Sequence, residues 1–164
     1  MAGAKGRPDP QKSLVGFMVG DVHYAVPIAS VREIVNPLPL TVLPHSPLAV
    51  AGVANHRGTV IPVVDLRARF GLPPAADQRR AKWILVEVED HTVGLMVDSV
   101  TEVFGTGGAE LGPPPNLGGG DDARGILGVA SHSDSLVFVL DVARFEAMVA
   151  PLALPGLVGS GDAL

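Results

Sequence analysis

Ser131-His132-Ser133-Asp134 places a hydroxyl, an imidazole and a carboxylate within four positions, the residue types of a nucleophilic triad. Neighbours in one turn cannot adopt triad geometry, which brings together groups distant in sequence. Gly118-Gly119-Gly120-Asp121-Asp122 has the glycines of a phosphate-cradling loop. It lacks the Lys-Ser/Thr pair, a strand rather than a helix follows, and its carboxylates would repel phosphate. The five histidines, His23, His45, His56, His91 and His132, show no metal-ligand spacing. With no cysteine, disulfides, thiolate metal sites and cysteine nucleophiles are excluded. No catalytic residue, metal or cofactor is expected. What remains is Arg57, in the polar turn Asn55-His56-Arg57-Gly58 between two apolar runs. A turn arginine is ordinarily just solvated, and no structural job for this one is visible. In an acidic chain, however, its planar fork suits recognition of carboxylates and carbonyls at an interface.

The elements that position this turn follow from a duplication. Shifted by 69 positions, Leu14-Val15-Gly16-Phe17-Met18-Val19-Gly20-Asp21 falls on Trp83-Ile84-Leu85-Val86-Glu87-Val88-Glu89-Asp90. Ser30-Val31-Arg32-Glu33-Ile34 falls on Ser99-Val100-Thr101-Glu102-Val103 at the same shift. Shifted by 76, Gly52-Val53-Ala54-Asn55-His56 falls on Gly128-Val129-Ala130-Ser131-His132, and Val63-Val64-Asp65 on Val139-Leu140-Asp141. The difference of seven places a longer loop in the second half, in the Gly/Pro-rich stretch 105–125. Short runs of Val and Ile, broken by Gly, Pro, Asn and Asp, predict an all-β chain of many short strands. Each half should hold about five strands. Neither half has enough core to be robust alone, so a shared core is expected.

The repeat sorts the remaining polar residues. Asp65 and Asp141 stand where a helix N-cap belongs, each just after an apolar strand, and capping outweighs catalysis. The first helix is short, stopped by Gly71 and Pro73-Pro74, and the second runs from Asp141 to about Val149. Glu33 and Glu102 recur, which fits a scaffold salt bridge or an exposed strand position, or, for Glu33, part of a partner surface. His56 and His132 recur, which fits a turn or packing role. Arg57-Gly58 falls on Ser133-Asp134, so the turn can be made without an arginine.

Composition agrees with a β-rich domain. Of the 164 residues 47% are hydrophobic and only 4% aromatic, so the core must be built from Val, Leu, Ile and Ala. A net charge of −5 argues against nucleic-acid or anionic-membrane binding. No apolar run approaches the roughly 20 residues that span a bilayer. Residues 1–12 are polar, lack a signal-peptide core and read as disordered, leaving the cytoplasm as the default location. Residues 13–150 form the folded unit, two intertwined β-barrel subdomains of roughly 13–80 and 81–150, and 151–164 is a tail without clear pattern.

Asn55-His56-Arg57-Gly58-Thr59-Val60-Ile61-Pro62-Val63-Val64-Asp65-Leu66-Arg67 resembles the Asn-Leu-Arg-Gly, proline-bearing strand and Val-Asp-Leu-Arg pattern of the CheW family of bacterial chemotaxis coupling proteins. Gly20-Asp21 with Tyr24, Val31-Arg32-Glu33-Ile34, Val93-Gly94-Leu95-Met96-Val97-Asp98-Ser99-Val100 and Pro113-Pro114-Pro115 support the resemblance, which runs from Leu14 to about Met148. It implies two similar five-stranded SH3-like barrels packed on a shared core, with short helices after each repeat. It also implies a non-enzymatic adaptor, recruited to receptor arrays, between the cytoplasmic tip of a chemoreceptor and the regulatory domain of the histidine kinase CheA. The receptor-binding positions carried over are Val31, Glu33, Asn55, Arg57, Gly58 and Val100; Thr41, Val42 and Leu43 are the expected kinase-binding positions. An array-linking module of a motility pathway without direct kinase control is the alternative. A small enzyme or ligand-binding barrel would need convergent titratable groups in a pocket, and the sequence assembles none. His56 stands where the family commonly has an apolar residue.

Overall fold

A computed structural model describes residues 13–44, 49–105, 112–113 and 125–149. The expected disorder of 1–12, the 151–164 tail, His45, Pro114-Pro115 and the glycine run 118–120 lie outside the described residues. Ten strands are described: β1 (Ser13–Val19), β2 (Val22–Pro27), β3 (Val31–Val35), β4 (Val50–His56), β5 (Thr59–Asp65), β6 (Lys82–Val88), β7 (His91–Val97), β8 (Ser99–Gly105), β9 (Ile126–His132) and β10 (Ser135–Leu140). Helix α1 (Leu66–Arg69) follows β5 and α2 (Val142–Val149) follows β10. The first three strands match β6 to β8 at the shift of 69, and β4 and β5 match β9 and β10 at 76. The longer loop of the second half therefore falls between β8 and β9.

The strands form two five-stranded sheets, in the orders β8-β1-β2-β10-β9 and β3-β6-β7-β5-β4. Neither sheet is drawn from one repeat half alone. Each sheet takes its leading hairpin, β1–β2 or β6–β7, from one half and its other three strands from the other half. The physical reason lies in the crossings. A single 3-10 turn, Ile28–Ser30, carries the chain from β2 across to β3 in the opposite sheet, and Asp98 alone separates β7 from β8. Neither link makes the positive-φ hairpin turn seen at Arg57-Gly58, so each leads the chain out of the sheet it leaves, and the next strand pairs in the opposite one. Unfolding one half alone would strip one sheet of a hairpin and the other of three strands.

Each sheet curls towards closure. Leaving the outer strand β3, the chain returns at Thr41 to the opposite outer strand, where Thr41 and Val53 exchange two backbone hydrogen bonds of 2.8 Å. Gly112 and Val129 do the same for the other sheet. The outer edges are thereby partly covered, which protects them from strand addition.

Burial follows from this arrangement. Leu14, Ala25, Phe104, Val137 and Val139 fill one barrel, and Ile61, Val63, Trp83 and Leu85 fill the other. A larger third core lies between them, with Phe17, Val26 and Leu140 from one sheet and Val64, Ile84 and Leu95 from the other. Neighbouring positions of β1 and β6 face alternately into a barrel and into this seam. Both faces are buried, so these strands read as unbroken apolar runs. The caps form as expected: the Asp65 side chain accepts from the N–H groups of Arg67 and Ala68 at 2.9 and 3.3 Å, and Asp141 from Ala143 at 3.1 Å.

Candidate functional site

The β4–β5 hairpin turns through Arg57 and Gly58, with φ of 54° and 87°. Positive φ at both central residues defines the type I′ turn, whose twist matches that of the flanking strands. Asn55 reinforces it, its Oδ1 accepting from the Gly58 N–H at 2.8 Å. Ser133 and Asp134 make the same turn in the other barrel, with φ of 51° and 66°. The arginine is therefore surplus to the turn itself.

It is not simply solvated, however. Arg57 Nη2 lies 2.9 Å from Glu33 Oε2 on β3, and His56 Nε2 lies 3.3 Å from the other oxygen, Oε1. One carboxylate thus has two partners of very different accessibility. The Arg57 side chain is 73% exposed and that of His56 only 13%.

The second barrel repeats half of this arrangement. His132 Nε2 contacts Glu102 Oε2, and the His132 ring stacks on Phe104 with centroids 3.9 Å apart. Glu33 and His56 come from β3 and β4, the two outer strands of their sheet; Glu102 and His132 come from β8 and β9, the outer strands of theirs. The recurring glutamate and the recurring histidine are therefore partners, and each pair fastens the two edges of a curled sheet. A pairing signal was present in the sequence: both residues recur, one in each block of the repeat.

Of the expected receptor-binding residues, the structure brings Glu33 to Arg57 and Asn55 to Gly58. Val31 lies two residues before Glu33 on β3, and Val100 lies on β8 in the other sheet. Both are half-buried against the core between the barrels. The expected kinase-binding residues lie on the segment that closes the Arg57 barrel. The Thr41 backbone is committed to Val53, Val42 is 72% exposed and Leu43 is half-buried. Among the described residues no group of three or more His, Asp or Glu could hold a metal ion, and no helix is long and apolar enough to cross a membrane.

A model of the CheW-like domain matches residues 13–148, which take in both sheets. The chain belongs to the CheW family. It is 39% identical over 129 residues to a probable chemotaxis protein CheW of Rhizobium etli, covering 77% of this chain and 83% of that one. It is 36% identical over 137 residues to chemotaxis protein CheW of Rhizobium meliloti, covering 82% and 88%. Among solved structures, the scaffolding protein TtCheW of Thermoanaerobacter tengcongensis superposes with a TM-score of 0.72 at 32% identity, over 79% of this chain and 88% of that one. Two five-stranded SH3-like barrels are thus the architecture of this CheW-family chain.

One further charged group breaks the symmetry of the repeat. Arg67 Nε reaches both oxygens of Asp98 at 3.0 and 3.1 Å, while its Nη1 donates to the Pro73 carbonyl at 2.6 Å. Asp98 also accepts from the Gly20 N–H at 2.7 Å. Asp98 lies at the crossing between sheets, Gly20 in the β1–β2 turn of one sheet, and Arg67 on α1 after the other. The carboxylate therefore ties both sheets together. At the repeat-related positions stand Ala29 and Ala143, so no such tie is possible there. The duplication does not point to this pair, because neither member recurs.

The hydrogen bond to Asp98 raises the Arg67 pKa above its ordinary value. The stability this pair contributes is present below the arginine pKa of the unfolded chain and is lost only as pH rises past the folded one, so alkaline titration within the working range should not weaken it. Arg67→Ala leaves Asp98, only 24% exposed, without its cation and should destabilise the fold by about 2 kcal/mol. Arg67→Lys should recover less than half, because a point charge cannot span both oxygens and Pro73. Urea unfolding of the three proteins checks this; an Arg67→Ala cost within the error of wild type would show that the tie contributes nothing.

Proposed function

We propose that this chain is a non-enzymatic adaptor that couples the cytoplasmic tips of chemoreceptors to the regulatory domain of a CheA-type histidine kinase, in the cytoplasm and at receptor arrays. The observation that carries the reading is the CheW-like match over residues 13–148. The arrangement of residues is compatible with it. A helical receptor tip offers an apolar stripe edged by polar groups, recognised by apolar contacts plus a few charged anchors. Val31 and Val100 would meet the stripe; Glu33, Asn55, Arg57 and Gly58 would set its register. Thr41, Val42 and Leu43 would face the kinase, with Val42 already 72% exposed. Interfaces of this kind are often small, below about 1,200 Å2, and gain strength from multivalency in an array.

The test is reconstitution. Chemoreceptor-tip assemblies and a CheA-type kinase from the same organism are mixed with and without this chain, and kinase autophosphorylation and co-sedimentation are followed. The chain should bind both partners and place the kinase under receptor control. Binding to tips without the kinase would instead make it an array-linking module of a motility pathway. Binding to neither would overturn the adaptor reading.

A further inference from the structure

The two His–Glu pairs differ in one respect that bears on the proposed receptor site. In the barrel closed by Glu102 and His132, the pair is complete by itself, since Ser133 stands where an arginine would be. In the other barrel, Glu33 has the same histidine partner on the protected side and also holds Arg57 on the solvent side. Side-chain exposures of 13% for His56 and 73% for Arg57 separate a fixed partner from an exchangeable one. Glu33 itself is 29% exposed, so losing all its partners would leave a carboxylate poorly compensated by water.

We propose that His56 is a positioning residue for this site: it holds Glu33 from the buried side, so that Arg57 can leave that carboxylate for an acidic group on a helical partner. The inference rests on the proposed receptor-binding role of this turn. Its physical content is a reduced cost of exchange. With His56 present, Arg57 departs from a carboxylate that keeps one partner and its place between β3 and β4. Without His56, Glu33 loses its partner on the protected side, and withdrawing the arginine then costs more. The histidine and the arginine need not touch. They act on one another through the two oxygens of Glu33, so their effects on binding should be coupled, as expected for residues sharing a partner.

The experiment is a double-mutant cycle on the whole chain, binding a soluble fragment of a chemoreceptor tip from the same organism. His56→Leu should weaken binding about fivefold, roughly the effect of one partly exposed ion pair. His56→Gln retains a side-chain donor and should restore most of the affinity. In an Arg57→Ala background, His56→Leu should change binding less than twofold. An equal loss in both backgrounds, or no rescue by glutamine, would show a structural role only and overturn the proposal. A second cycle needs no partner. In urea unfolding, Glu33→Ala should couple to His56→Leu in the wild-type background, and its coupling to Arg57→Ala should grow once His56 is replaced. If wild type does not bind the fragment, the receptor reading fails, while this second cycle still decides whether His56 shares Glu33 with Arg57. A constant Glu33–Arg57 coupling would overturn the sharing.

Discussion

Gly52→Ala should destabilise this protein far more than the same methyl group added at Gly58. Gly52 sits beside a bulge in β4, where Val50 pairs with Val64 and Gly52 with Val63, leaving Ala51 unpaired. Its φ is +151°, and a Cβ at this position would lie 2.2 Å from the Thr41 carbonyl oxygen and 2.9 Å from its carbonyl carbon. Those atoms are backbone and cannot rotate away. The same oxygen accepts from the Val53 N–H in one of the two 2.8 Å hydrogen bonds between Thr41 and Val53 that close the barrel edge. The methyl group must therefore either strain the backbone or open the closure. Strain at the unfavourable φ and the loss of both hydrogen bonds together cost on the order of 4 kcal/mol, a large part of a domain's stability. Gly58→Ala is the matched control. Its φ is also positive, +87°, but a Cβ there meets nothing within 4 Å, so only the conformational term remains, about 1 kcal/mol. Urea unfolding followed by circular dichroism separates the two. Equal costs for the two variants would mean that the close approach of Thr41 contributes nothing.

This contrast shows where the sequence is informative. The recurrence of Gly52 at Gly128 marks it as scaffold, but its reason, the crossing of the segment around Thr41, is a tertiary contact. The strands, the helix caps at Asp65 and Asp141, the shared core and the extra loop of the second half were all legible, because each leaves a local pattern that the duplication doubles. Which strands are exchanged between the halves was not. Strands β3 and β8 are repeat equivalents with equivalent patterns, so β1 could pair with either on periodicity alone. The choice of β8 goes with the direction of the 3-10 crossing after β2, which carries β3 into the opposite sheet, a geometric fact that apolar spacing does not encode. Arg57 was legible as the residue that the second copy lacks. Its partner was not, since Glu33 lies on the far edge of the sheet and meets the turn only when the sheet curls. Arg67 and Asp98 escaped for the opposite reason: the comparison of copies reveals what recurs, and this tie occurs once.

Arg57→Glu tests the site with the largest expected effect on binding and little on folding. The turn already holds a non-glycine residue at φ 54°, and Ser133 and Asp134 show that the backbone accepts other side chains there. Arg57 is 73% exposed, so its pair with Glu33 is largely screened by water and contributes less than about 1 kcal/mol to stability. His56 remains beside Glu33 in the variant and keeps the barrel edges joined. The unfolding midpoint should therefore move little. Binding should change far more. The substitution removes the one strong cation proposed to meet a receptor carboxylate and puts a second negative charge beside Glu33, so attraction becomes repulsion at the centre of the contact. Charge reversal of an anchoring residue costs roughly 3 kcal/mol, which is about a hundredfold in affinity for the receptor tip. Kinase binding should be retained, because the proposed kinase contacts, Thr41, Val42 and Leu43, lie on the closing segment rather than in the turn. Receptor-dependent kinase control measured with this variant decides the matter: if control survives at wild-type strength, Arg57 does not anchor the receptor, whatever its contact with Glu33 contributes to the barrel.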